Sequence, residues 1–588
     1  MTISAAASTE RGESSGLEFE GLTVRYLTRT TAAIDGLWLA VPRGNFVTVA
    51  GRNGAGKSTL TLAASGFIPR IVRAHVEGDV SIGGRRMADL SDAELRRSTG
   101  IVFATPANQL SGSKLTVREE LAFGLENLGV ARAAMDPRID DVMARLHIDG
   151  LADRQPLALS GGEQQRVAIA SIVAMGTDVL ILDEPTAQLD PVGVASVAAL
   201  LVELAREGAA VLCAEHGADV LSASHRCLVL DHGRAVVEDI PGRALVDPAV
   251  AEAGIPAPAL ALLAQAVGLS PDTAFRQDLV VAALATADGA RRAALHLRSA
   301  VPGRAGDLPA VVLGGGREPA AIEVVGLRHV YAGGVEAIRS VDLRVGPGES
   351  VAIVGQNGSG KTTLAKHFNG LLRPSAGEVR LDGEPTTRRP VHELASIVGF
   401  VFQSPDDQLF ERSVEREVAF GPRNLRFDRG RTQRQVELAL AAVGLTDAAA
   451  TNPYDLDLSS RKLVALASVL AMDPAVLVLD EPTTGQDAPG IKRIGAIIRA
   501  WISKGRTVIA ITHDMEFAAE NFGRVVVMRQ GEIVADDTPA RVFATDNSSL
   551  LASTGLRATV AAQIGEALGV KAGTPTLGSL VEALAARA

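Results

Sequence analysis

Gly51-Arg52-Asn53-Gly54-Ala55-Gly56-Lys57-Ser58-Thr59 and Gly355-Gln356-Asn357-Gly358-Ser359-Gly360-Lys361-Thr362-Thr363 each fit G-x-x-x-x-G-K-[ST]. In that pattern glycine lets consecutive backbone N–H groups wrap phosphate oxygens, the lysine reaches the terminal phosphates, and the hydroxyl residue can ligate Mg²⁺. An apolar run leads into each copy, Phe46-Val47-Thr48-Val49-Ala50 and Ser350-Val351-Ala352-Ile353-Val354, and a helix-compatible run follows. A strand, a glycine loop and a helix N-terminus in that order predict two sites for a nucleoside triphosphate with Mg²⁺.

The chain has 588 residues, too many for one hydrophobic core, and the duplication argues for two large α/β units. Its net charge of −10 argues against a nucleic-acid groove. Its two cysteines, Cys213 and Cys227, supply neither a disulfide framework nor a CxxC metal site, so they read as reduced core residues of an intracellular protein. No apolar run approaches the ~18 residues that would cross a bilayer, and the run Val464–Met472 breaks at Asp473. A membrane role, if present, must come through partners.

Residues 1–16 carry neither a basic nor an apolar signal region and are expected to form a disordered tail. Residues 17–243 and 321–540 form two units offset by about 300 positions, each with alternating strand-like sequence, a P-loop and then βα alternation around a parallel sheet. Ala/Leu-rich helical extensions follow at 244–300 and 541–588. They are themselves duplicated, because Gly254-Ile255 to Gly268-Leu269 aligns with Gly555-Leu556 to Gly569-Val570. Residues 301–320 are rich in Gly and Pro and read as a linker, spanning roughly 25 Å r.m.s. for a flexible chain, enough for the two units to turn toward one another.

Further strings complete the pattern. Leu159-Ser160-Gly161-Gly162-Glu163-Gln164-Gln165-Arg166 precedes a helical run, and the apolar strands Val179–Leu182 and Val476–Leu479 end in Asp183-Glu184 and Asp480-Glu481. Together with the P-loops these resemble the signature and Walker B motifs of the ABC ATPase family over nearly all of both units. The resemblance implies an α/β fold of two tandem ABC-type P-loop ATPase domains, each with a helical subdomain. It gives Lys361, Gln403, Glu481 and His513 catalytic roles, with Glu481 as general base. Thr362, Gln403 and Asp480 in one site, and Ser58 and Asp183 in the other, would ligate Mg²⁺. Tyr26 and Tyr331 stand where the family stacks adenine; Glu184 and His216 mirror Glu481 and His513. ABC domains pair head to tail, so Ser160, Gly161, Gly162 and Gln164 would cap the nucleotide held at Asn357–Thr363, while Asn53–Thr59 would hold the other.

The two halves depart from one another. Gln403 is the Q-loop amide of the second unit, but Ala104 stands at that position in the first, and alanine cannot coordinate a cation. The second signature is eroded: anchoring on the following helix sets Gly161 and Gly162 against Leu458 and Ser459, and a slid register sets them against Ser460 and Arg461. Either register removes both glycines, whose lack of Cβ allows close approach of N–H groups to phosphate. Both losses fall on the first P-loop's site, which is expected to bind more than it hydrolyses.

The segments Gln408–Leu425 and Thr116–Leu128 are similar to those of the energy-coupling factor importers. That resemblance implies a membrane T-component docking on these segments, an S-component binding a vitamin or similar micronutrient, and a peripheral position on the cytoplasmic face of the cell membrane. The C-terminal helices would help to hold the two ATPase units together. Two alternatives are a tandem sugar importer, which usually degrades the second P-loop, and a soluble tandem ABC protein acting on ribosomes, which predicts two intact signatures. The residues name no transported substrate.

Overall fold

The computed structural model describes residues 15–27, 29–298, 320–544, 547–570 and 573–587. The expected N-terminal tail and the Gly/Pro-rich linker fall almost wholly outside the described residues. The chain divides into two compact units: residues up to Ala261 with Ser270–Phe275, and Leu262–Leu269 with Arg276 onward.

In the first unit a six-stranded sheet runs in the order Arg234–Asp239, Arg226–Asp231, Phe46–Gly51, Ala210–Ala214, Val179–Asp183, Thr99–Val102. Its interior strands are parallel, and Arg234–Asp239 closes one edge antiparallel. Parallel strands are covered on both faces and read as unbroken apolar runs; Val179–Asp183 and Ala210–Ala214 are buried along their whole length. A separate antiparallel sheet, Ile34–Pro42, Ser15–Tyr26, Ala74–Ile82 and Arg85–Arg86, packs in the same core as Val47, Val49 and the P-loop helix residue Leu60. Helices Val117–Asn127, Arg132–Arg145 and Gly161–Val173 pack together as the helical part.

The second unit repeats this plan, with Val398–Val401, Val476–Asp480, Thr507–Thr512, Ser350–Val354, Arg524–Arg529 and Glu532–Asp537 in sheet order. Equivalent helices are Val414–Asn424, Arg429–Val443 and Leu458–Leu470. In both halves the P-loop strand is separated from the Walker B strand by the strand that leads to the histidine. The strand before the Q-loop lies beyond that, so all four loops emerge at the carboxyl ends of parallel strands, where open α/β sheets bind ligands. Among the described residues no helix is long and apolar enough to cross a membrane, and Cys213 and Cys227 are buried and free.

The duplicated extensions have matching ends. Gly254, Gly268, Gly555 and Gly569 all take positive φ, at 76°, 80°, 64° and 68°. Ala287–Leu297 buries Ala290, Ala293, Ala294 and Leu297, one stripe at helical spacing, and packs against Leu577–Arg587 within the second unit. The helix Val560–Ala567 is tied to the ATPase core by Glu516, whose Oε1 accepts the Val560 N–H at 2.8 Å. Burial pushes the Glu516 carboxyl up to about 7, with Asp514 and Glu520 adding to the effect. Because the folded value lies above the ordinary 4.5, this group's contribution to stability is full below pH 4.5 and is lost as pH rises through about 7. Glu516→Gln keeps an acceptor and removes the ionisation. Chemical denaturation should show the variant gaining about 1–3 kcal/mol on wild type between roughly pH 5 and pH 8.

Candidate functional site: two P-loop centres

Each P-loop closes on itself. Lys57 Nζ donates to Gly51 O at 2.9 Å and Arg52 O at 3.2 Å; Lys361 Nζ donates to Gly355 O at 2.7 Å and Gln356 O at 2.9 Å. Gly56 and Gly360 precede the helices in left-handed conformation, with φ of 108° and 100°, and a Cβ there would lie 2.4 Å from Ala33 O and 2.5 Å from Ala337 O. At Gly54 and Gly358 a Cβ would meet nothing within 4 Å, so the loop tips open onto free space. Asn53 and Asn357 stand at these tips, and the helices Lys57–Ala64 and Lys361–Phe368 begin beyond them.

Asp183 and Asp480 end their strands with buried side chains. Burial, then the neighbouring glutamate, pushes each up to about 6. The nearby Ser58 hydroxyl acts against this rise at Asp183, and the Thr362 hydroxyl donates to Asp480 Oδ1 at 3.2 Å. Glu184 and Glu481 leave the strands with φ of 46° and 48°, a conformation that L side chains rarely hold. His216 Nε2 lies 2.9 Å from Glu184 Oε1, and His513 Nδ1 lies 2.8 Å from Glu481 Oε2. Burial alone would raise both glutamates, but His216 with Lys57, and His513 with Lys361 and Lys462, hold them below the ordinary 4.5. Burial would depress the His513 imidazole, yet Glu481 outweighs it and the imidazole titrates above the ordinary 6.5.

Tyr26 and Tyr331 are tethered alike, their phenols 3.1 Å from Thr59 Oγ1 and 3.0 Å from Thr363 Oγ1 in the first turn of each P-loop helix. Gln403 is exposed at the end of the strand beside Walker B, and Ala104 holds the same place in the first unit. Ser160 caps the helix Gly161–Val173 reciprocally with Glu163, leaving Gly161 and Gly162 in its first turn, while Gln164 Nε2 turns to Leu157 O and Leu159 O. The second unit's helix Leu458–Leu470 starts from Asp457, whose carboxylate accepts the Ser460 N–H at 2.8 Å. Matching the two caps settles the register: Asp457 replaces Ser160, and Leu458 and Ser459 replace Gly161 and Gly162. Ser459 is locked into its own unit, its hydroxyl donating to Gln486 Oε1 at 2.8 Å and its carbonyl accepting from Gln486 Nε2 at 3.1 Å.

A family model described as "ABC transporter" matches residues 34–187 and 338–484. The chain belongs to the ABC transporter family. An ABC transporter ATP-binding protein of Methanosarcina acetivorans is 35% identical over 535 residues, covering 90% of this chain and 87% of the relative. One from Streptomyces coelicolor is 33% identical over 562 residues, covering 90% and 95%. Among solved structures, cbiO1 of Clostridium perfringens, described as part of the ABC transporter complex cbiONQ, is 34% identical, with a TM-score of 0.37, covering 40% of this chain and 98% of that one. The protein is thus an ABC-type ATPase with two ATP-binding domains in one chain.

The residues of this ABC ATPase fit a phosphate-bound Mg²⁺. Asp183 Oδ1 is buried without a hydrogen-bond partner, and Ser359 Oγ is likewise buried and unpartnered inside the second P-loop. Among the described residues no group of three or more His, Cys, Asp or Glu could hold a metal. Three site residues escaped the motif reading. Asp457 is hidden by the register ambiguity. Glu215 of the first unit is buried, accepting from Thr186 Oγ1 at 2.6 Å and from the His216 and Gly217 N–H groups at 2.7 and 3.1 Å. Lys462 of the second unit is buried with Nζ 3.3 Å from Glu481 O.

Proposed function

We propose that the chain is the energy-coupling ATPase of an importer in the energy-coupling factor group, with one hydrolytic and one retentive nucleotide site. In this reading the two ATPase domains pair head to tail as ABC domains do. The second P-loop, with Gln403, Asp480, Glu481 and His513, works against Ser160-Gly161-Gly162. The first, with Ala104, works against Asp457-Leu458-Ser459. The observation that carries the asymmetry is Asp457 at the helix N-cap. It puts a carboxylate where Ser160 presents a neutral hydroxyl, at the helix end that would meet a γ-phosphate, and two unit charges ~4 Å apart repel by on the order of 4 kcal/mol at an effective dielectric of ~20. Glu215 adds a further buried carboxylate near Asp183 in the same site and raises its pKa.

At the hydrolytic site Lys361 and the N–H groups of Gly358–Thr363 hold the β- and γ-phosphates. Glu481 orients water and takes its proton, and His513 stabilises charge as it develops on the γ-phosphate. Thr362, Gln403 and Asp480 would hold Mg²⁺, as Ser58 and Asp183 would in the retentive site. When bound, the cation neutralises phosphate charge. Closure brings Ser160 and the glycine N–H groups to the nucleotide, and hydrolysis releases it, converting chemistry into domain motion.

The motion is passed to a membrane T-component that carries an S-component for a vitamin-like cargo, which places the chain peripherally at the cytoplasmic face of the membrane. Supporting this, the Q-loop segment presents aromatic surface: Phe410 is 58% exposed and meets Phe420 edge to face at 4.7 Å, with Tyr454 also exposed. The first unit exposes Leu115, Phe123 and Leu157 on the corresponding segments. Phe410→Ser combined with Phe420→Ser should cut co-purification with small hydrophobic membrane proteins by about tenfold, since buried aromatics dominate interface energies. Unchanged recovery, or recovery of ribosomal proteins instead, contradicts the importer reading.

A further inference from the structure

A buried lysine of the second unit's signature helix stands beside Glu481, and the equivalent helix position beside Glu184 holds a glutamine. Lys462 lies in the helix Leu458–Leu470 of the second unit, and its Nζ donates to the carbonyl oxygen of Glu481 at 3.3 Å. The matched caps place Gln165 at the equivalent position in the first unit. Gln165 is fully buried, turns Nε2 to Phe103 O at 3.5 Å and leaves Oε1 without a partner. Burying an ammonium is costly unless charge and hydrogen bonds compensate. Asp480 and Glu481 supply the compensating charge, and their fields act against the burial that lowers the Lys462 pKa to about 8.

The contact falls on a strained peptide. Glu481 holds φ at 48°, with its N–H bonded to Ile511 O at 2.9 Å. Left-handed backbone at a residue with a long side chain is unfavourable and persists where neighbours over-determine it. Ile511 fixes the amide end of that residue and Lys462 the carbonyl end, while the ammonium sets positive charge next to the Walker B carboxylates.

We infer that Lys462 is a positioning residue for hydrolysis: its ammonium clamps the Glu481 carbonyl in the conformation that presents the Glu481 carboxylate to water. This rests on the assignment of hydrolysis to the second P-loop. Glu184 shares the backbone turn, and in its unit the equivalent Gln165 amide turns to Phe103 O, so the clamp marks the hydrolytic site.

The test is steady-state ATPase kinetics of the full chain with Lys462→Met, Lys462→Arg and Glu481→Gln, and the Lys462→Met/Glu481→Gln pair. Lys462→Met should lower kcat about 10- to 100-fold with KM for ATP within about twofold, and Lys462→Arg should restore most of kcat. In the Glu481→Gln background Lys462→Met should cost nothing further, because both changes remove one function. Unchanged kcat in Lys462→Met, or a full additional loss on top of Glu481→Gln, overturns the positioning role. A folding defect would raise KM and reduce fluorescent-nucleotide binding together in Lys462→Met, and that outcome also overturns it. If Glu481→Gln alone leaves the rate intact, it is the assignment of the hydrolytic site that fails.

Discussion

Glu481→Gln should reduce steady-state ATP hydrolysis by about 100-fold or more, and Glu184→Gln by no more than about twofold. The two glutamates share their left-handed turn and their histidine, so the difference comes from their surroundings. Beside Glu481 lie the buried Lys462 ammonium and a Walker B aspartate bonded to Thr362, and the same unit carries Gln403. The first unit carries Ala104 in place of that amide and sets Glu215 as a third carboxylate near Asp183 and Glu184. A general base contributes only where the nucleotide is fully caged, because water activation without stabilised phosphate charge leaves most of the barrier in place. Equal losses from the two substitutions contradict the asymmetric reading. A large loss from Glu184→Gln alone reverses it.

The second large effect lies in the signatures. Gly161→Ala should lower ATPase activity about 100-fold, whereas Leu458→Ala, at the matching position, should change it by less than about twofold. A Cβ on Gly161 would come 2.4 Å from Gln188 Oε1, a flexible side-chain end that can move aside, so in the proposed reading the loss comes from the Cβ itself, which stands where the glycine N–H groups would approach the γ-phosphate. Alanine is a good helix residue at a first turn, so the helix itself survives. Leu458 already carries a side chain behind an anionic cap, and trimming it restores no donor. The pair of ATPase rates, read against fluorescent-nucleotide affinity, separates loss of closure from loss of binding.

Much of this was legible because its physics is local. A P-loop is nine consecutive residues whose glycines, lysine and hydroxyl all act within one turn, and the Walker B carboxylates sit at the end of an apolar strand that announces itself. A parallel core sheet followed from the repeated βα alternation, whereas the strand order and the second, antiparallel sheet are seen only in the fold. What escaped depends on contacts distant in sequence. Asp457 could be placed only once both helices showed their caps, since Leu458-Ser459 imitates Leu159-Ser160 in the sequence. Lys462 looked like an ordinary helical lysine, and only the fold brings it under Glu481, 19 residues on in the chain. The extension at 244–300 was legible as Ala/Leu-rich and helical, but nothing in it named the buried stripe Ala290, Ala293, Ala294 and Leu297, or Leu577–Arg587 as the helix that it packs on.

The central claim, that one nucleotide is spent and the other kept, is most directly tested by photolabelling the full chain with a radiolabelled azido-ATP during steady-state turnover, then identifying the nucleotide on each labelled peptide. Intact triphosphate is expected on peptides from the first unit near Tyr26 and Lys57, and diphosphate on those near Tyr331 and Lys361. Diphosphate in equal proportion on both sets of peptides would contradict it.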